Sequence, residues 1–169
     1  EAVEVRGRAE LVEPADQRGH RGLCGSGWKA AAGIPARIPA RTDVIDAPGP
    51  VVLAAHSLGC IQVAAWAAFS RHTARVQGAL LVAPGDVESH DMKNNFPGWT
   101  PIARQPLPFS SILVGSQNDP YCTAERAQQM AKDWGARWVD HGHAGHINAA
   151  SALGDWPQGR ALLQTFLKD

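Results

Sequence analysis

The apolar positions change period along the chain, and each change marks an element. VVLAA, residues 51–55, is a continuous apolar run and predicts a strand buried on both faces. LGCIQVAAWAAFS follows at once with a helical period, which lets Ile61, Ala64, Ala65 and Ala68 share a face. GALLVAP predicts a second buried strand and SSILVGS a third. Between them, residues 85–108 are rich in proline and turn formers and predict a loop. TAERAQQMAKDW is an amphipathic helix, and Gly135 suits the position just past its end. ARWVDHG predicts a fourth strand, and WPQGRALLQTFLKD a closing helix with Pro157 in its first turn. Short apolar strands alternating with helices imply an α/β fold, a mostly parallel sheet with helices on both faces.

Residues 1–49 break this pattern. Arg, Gly, Ala and Pro fill 26 of those 49 positions, and Trp28 is the one aromatic residue among them. AVEVR and AELVE are candidate short strands. GIPARIPAR reads as loop, because each proline restricts itself and the residue before it. The composition changes near Pro48-Gly49-Pro50, but the 169 residues suit a single domain with one sizeable core.

Lys and Arg number 16, as do Asp and Glu, so no net charge favours nucleic acid or an anionic membrane as partner. No apolar run approaches the roughly 20 residues of a membrane span, and no leader-like charged and apolar start is visible. Cys24, Cys60 and Cys122 are too few and too widely spaced for a disulfide framework or a zinc ribbon. The expectation is a cytoplasmic protein with reduced thiols and no cofactor.

In a parallel sheet, ligands sit at the carboxyl ends of the strands. The polar residues there are Ser57 after the first strand, Asp119 after the third, and His141, His143 and His146 after the fourth. The order Ser, Asp, His, each on a strand-end loop, is the order of the α/β-hydrolases. The motif Ala55-His56-Ser57-Leu58-Gly59 is close to the G-x-S-x-G elbow, with alanine small enough to keep strand and helix near each other. The backbone N–H of Leu58, at a helix start, is a candidate oxyanion donor. Each residue also has a structural reading. Ser57 could be an N-cap, Asp119 a turn residue before Pro120, and His146 a loop brace. The three histidines resemble a metal cluster, but no carboxylate or cysteine spacing supports one. Cys60 and Cys122 read as core residues, and Trp66, Trp134, Trp138 and Trp156 as core or groove walls.

The blocks VVLAAHSLGC, ALLVAPGDVE, PLPFSSILVGSQNDPYC, AERAQQMAKDWGAR and GHINAASALGDWPQG resemble the small serine hydrolases related to retinoblastoma-binding protein 9. The likeness covers about residues 50–169 and is to the compact, nearly lidless bacterial branch of the α/β-hydrolases. It implies Ser57 as nucleophile, Asp119 as orienting acid and His146, rather than His141 or His143, as general base. It also implies an early loop, G-x-x-G-S-x-x-x-H-W, that carries the second oxyanion donor after an apolar strand. GLCGSGW, residues 22–28, is a faint echo of that loop, with no apolar strand before it, and the second donor has no assignment. The composition of residues 1–49 resembles a GC-rich gene read out of frame. That segment is therefore expected to be frame-shifted, rearranged or disordered, with the family pattern resuming at DVIDAPGPVV.

The expected activity is hydrolysis of carboxylic esters or small amides through an acyl-enzyme, with a small molecule as the one partner. A catalytically impaired interaction protein with the same fold is the rival, and acyl transfer to an alcohol is a further variant. A sheet lacking its first strands would leave an apolar edge and self-associate.

Overall fold

The computed structural model describes residues 9–12, 49–96 and 98–167. Among the described residues, five parallel strands lie side by side in chain order: β1 (Ala9–Val12), β2 (Val51–Ser57), β3 (Val76–Pro84), β4 (Ser110–Gly115) and β5 (Arg137–Asp140). Helix α1 (Leu58–Phe69) joins β2 to β3, and α2 (Ala124–Trp134) joins β4 to β5. Helix α3 (Pro157–Gln164) follows β5. The GLCGSGW segment, the expected frame-shifted reading and any second oxyanion donor in residues 13–48 lie outside the described residues.

Alternation along the strands builds two cores. Val51, Leu53 and Ala55 of β2, Ala79 and Leu81 of β3 and Leu113 of β4 face one side. There α1 covers them with Ile61, Val63 and Trp66, and α2 with Ala127, Met130 and Trp134. Val52, Leu80, Val82, Ile112 and Val114 face the other side, against Ile147, Leu163 and the flanking Trp156 and Phe166. A strand apolar at every position is needed to feed both cores, as the continuous runs in the sequence predict. Each fully buried large apolar side chain contributes about 1.5–3 kcal/mol.

The predicted elements form, with local differences. Burial in the first turns of α1 goes all round, including Gly59, Cys60 and Gln62, while Ala68 is exposed. The expected four-residue face is therefore displaced, because α1 enters from the sheet interior and emerges only at its end. Helix α2 follows its apolar stripe from Ala127 to Trp134. The Thr123 hydroxyl accepts from the Arg126 N–H at 3.2 Å, and Gly135 closes the helix with φ 66°. Helix α3 ends at Gln164, short of the predicted end. Phe166 instead lies against Gly78, where a Cβ would collide with its ring. AELVE, a candidate strand of the atypical N-terminal part, supplies β1, and β1 pairs with Val52–Ala55 of β2. The β2 edge is thus covered in this sheet.

The described residues between 85 and 108 carry no helix or strand, and the segment is pinned to α2 by charge. Arg126 reaches Glu88 at 2.5 Å and Asp86 at 3.3 Å, and Arg104 also pairs with Glu88. Burial alone would raise the Glu88 pKa. The Ile102 N–H, Arg104 and Arg126 outweigh it and hold the carboxyl below its ordinary range. The Asp86 N–H donates to the Tyr121 carbonyl at 3.0 Å, so this loop is also tied to the one after β4.

Gly115 ends β4 under the Trp138 ring, and an added Cβ would lie 2.7 Å from Trp138 Cζ3. Gly115→Ala is expected to destabilise the fold by about 1–3 kcal/mol through overpacking, read from the midpoint of urea unfolding.

Candidate active site

Ser57 ends β2 and stands at the N-cap position of α1 with φ 57° and ψ −122°. This is a positive-φ conformation that few residues other than glycine adopt. Its hydroxyl makes no capping bond to the helix. Instead Ser57 Oγ lies 2.9 Å from His146 Nε2. The N-cap reading of this serine therefore describes its place but not its side chain. The strand-to-helix turn holds Oγ out of the backbone, and Leu58 at the start of α1 has an N–H with no partner inside the helix.

Asp119 follows β4. Its side chain is 2% exposed, and its Oδ1 and Oδ2 lie 3.0 and 2.9 Å from His146 Nδ1. Oδ1 also accepts the Tyr121 N–H at 2.9 Å. One carboxylate thus makes both the turn contact and the histidine contact, since it has lone pairs for both. With Nδ1 donating to Asp119, His146 carries its proton there and presents Nε2 as an acceptor to the serine hydroxyl. The His146 ring is itself nearly buried, at 9% exposure.

The loop that carries His146 is held by polar groups not singled out in the sequence. The buried Ser116 hydroxyl accepts from the Ala144 N–H at 3.0 Å. Asn118 Oδ1 accepts from the Gly145 N–H at 2.8 Å. His56 Nε2 lies 2.8 Å from the His146 carbonyl oxygen, and the two rings meet edge to face at 4.7 Å. Tyr121 meets the His146 ring from a second direction at 4.6 Å. Gly145 and Ile147, on either side of His146, both have positive φ, 56° and 46°. The signal for Ser116 and Asn118 was present in SSILVGSQND, a polar triplet directly after a strand. His56 gave none beyond its place beside Ser57.

The other candidates separate from this cluster. His141 Nε2 accepts from Trp156 Nε1 at 2.8 Å, and His143 is exposed. No group of three or more His, Cys, Asp or Glu among the described residues is placed to hold a metal ion. Cys60 is fully buried, and burial pushes its thiol far up. Burial, then the Asp86 and Asp119 charges, push Cys122 up to about 12. Neither thiol forms a thiolate readily, so neither is a nucleophile near neutral pH. Trp66 and Trp134 are buried in the core on the α1 and α2 face, and no helix among the described residues is long and apolar enough to cross a membrane.

Residues 39–165 match the model of the serine hydrolase family, and the chain belongs to that family. Among solved structures it is similar to a YdeN-like hydrolase from Pectobacterium atrosepticum. That match has 28% identity and a TM-score of 0.61, over 75% of this chain and 64% of the other. The chain thus spans 64% of the length of that relative. It also resembles a thermophilic esterase from Thermogutta terrifontis, with 16% identity and a TM-score of 0.53, over 70% of this chain and 66% of the other. An enol-lactonase from Burkholderia xenovorans gives 15% identity and a TM-score of 0.51, over 69% and 66%. These last two likenesses are of fold alone, and the fold is that of the α/β-hydrolases. No curated protein matches the chain.

The strain at Ser57 can be measured apart from any activity. Ser57→Gly is expected to be more stable than Ser57→Ala by about 1 kcal/mol, because glycine alone relieves the positive φ. Equal stability in chemical denaturation would mean that the turn is relaxed.

Proposed function

We propose that this serine hydrolase cleaves carboxylic esters or small amides through an acyl-enzyme on Ser57. The observation that carries this reading is the chain of short contacts from Asp119 through His146 to Ser57 Oγ, with His146 Nε2 at 2.9 Å from the hydroxyl. His146 Nε2 takes the hydroxyl proton as Oγ bonds to the substrate carbonyl carbon. Asp119 stays ionised and stabilises the imidazolium that forms. The carbonyl π electrons move to oxygen, and the Leu58 N–H stabilises that oxyanion, a donor of a kind worth about 10²–10³ in rate. On collapse the C–O or C–N bond breaks, and His146 returns the proton to the leaving alcohol or amine. Water then repeats the cycle on the ester of Ser57 and releases the acid.

No cofactor enters this scheme, and a small-molecule ester or amide is the one partner. The motif blocks favour the branch related to retinoblastoma-binding protein 9, of bacterial type and working in the cytoplasm. The rival, an interaction protein that retains the fold without turnover, gains support only from the atypical residues 1–49. The strained and hydrogen-bonded arrangement at Ser57 favours catalysis instead, because a scaffold has no use for strain at that turn.

The test is turnover of p-nitrophenyl acetate by the full chain. Wild-type protein is expected to show a burst of p-nitrophenol equal to the enzyme, then steady hydrolysis. Ser57→Ala and His146→Ala should each lose about 10⁴-fold or more in kcat, and Asp119→Asn about 10⁴-fold through the wrong imidazole tautomer. Turnover that survives Ser57→Ala would exclude this mechanism.

A further inference from the structure

The rings of His56 and His146 lie side by side, their centroids 4.7 Å apart. Their hydrogen bonds give the two imidazoles different tasks. His56 Nε2 is 2.8 Å from the His146 carbonyl oxygen. A carbonyl can only accept, so His56 Nε2 carries a proton and donates it. That nitrogen has no lone pair for the Ser57 proton, which His146 Nε2, at 2.9 Å from Oγ, is placed to take.

The sheet sets where His56 points. Side chains alternate along β2, so His56 follows Val52 and Ala54 on the face against which Ala144 and Ile147 pack. It is the polar end of that row. It is also the last residue of β2 in regular register with β3, opposite Val82, before the register shifts at Ser57. The carbonyl that it meets belongs to the peptide unit between His146 and Ile147. The other end of that unit, the Ile147 N–H, donates to the Ala144 carbonyl at 3.1 Å. One end of the unit is thus held by its own loop and the other by β2. Gly145 and Ile147 both have positive φ, so the backbone is irregular on each side of His146 and contacts from other elements must fix it. Two adjacent residues of β2 therefore grip one residue of the loop. Ser57 meets the His146 side chain, and His56 meets its backbone. One such contact would leave the loop free to pivot, whereas two fix both the distance and the direction of Nε2.

We propose that His56 is a positioning residue for hydrolysis: its Nε2–H holds the His146 carbonyl and so aims the general base at Ser57 Oγ. This rests on the hydrolase reading above, with His146 as the base. The donor at that place, rather than the imidazole as such, does the work. Glutamine can put its amide N–H where histidine puts Nε2–H, asparagine is too short to reach, and leucine has no donor.

The wild-type protein gives the first test. At about pH 8.5, where an ordinary imidazole is neutral, nitrogen-15 NMR should show His56 protonated at Nε2 and His146 at Nδ1. His56 protonated at Nδ1 instead overturns the proposal, whatever the variants do. The second test is burst kinetics with p-nitrophenyl acetate on the wild type, His56→Leu, His56→Asn and His56→Gln. The acylation rate constant should fall by about tenfold to a hundredfold in His56→Leu and His56→Asn, the scale that a displaced catalytic group gives, with substrate affinity before acylation within about twofold of wild type. His56→Gln should recover acylation to within about fivefold of wild type. The proposal is overturned if His56→Leu acylates as fast as wild type, if His56→Gln is as slow as His56→Leu, or if affinity alone changes. The wild-type tautomers decide the matter if the variants do not fold. Turnover that is indifferent to His56 removes this proposal and leaves the hydrolase reading intact, whereas no turnover by the wild type removes both.

Discussion

The two ring nitrogens of His146 join three loops that are remote in sequence. Nδ1 is fixed by the buried carboxylate of Asp119, and Nε2 lies against the hydroxyl of Ser57. A parallel sheet makes this meeting possible, because β2, β4 and β5 end at the same edge and release Ser57, Asp119 and His146 there. The carboxylate sits in a low-dielectric setting, where an ionised group must be paired and hydrogen-bonded to be tolerated. Asp119 meets that demand with the imidazole N–H and the Tyr121 N–H. The geometry of the site is therefore a condition of its own burial as well as of any chemistry.

Holding His146 in place has a backbone cost. Ser57, Gly145 and Ile147 all adopt positive φ, and for residues other than glycine this costs of order 1–3 kcal/mol each. The surrounding contacts offset it. Ser116 and Asn118 receive the Ala144 and Gly145 N–H groups, and His56 and Tyr121 brace the ring at its edges. Beneath them lie the two apolar cores, which fix the strands from both faces. The rigid sheet and the strained loops thus play opposite parts: the first supplies the stability that the second consumes.

Much of this was legible from the chain. VVLAA, GALLVAP and SSILVGS are apolar without interruption, and such runs suit only strands covered on both faces. The period of TAERAQQMAKDW and the flanking Gly135 gave α2 almost to the residue. Ser57, Asp119 and the three histidines 141, 143 and 146 stood out because they followed strands, and the family resemblance singled out His146; the structure brings Ser57, Asp119 and His146 together while leaving His141 and His143 apart. What the chain hid lies in the loops around the site. The brace by His56 and the stitching by Ser116 and Asn118 depend on loop conformations that have no period.

The claim on which all of this rests is that Ser57 Oγ is an activated nucleophile, and covalent capture tests it most directly. Folded protein treated with a fluorophosphonate should gain a single adduct by intact mass, and peptide mapping should place it on Ser57. The adduct should form far more slowly in His146→Ala. An adduct on another residue, or none on the folded wild-type protein, would contradict the account.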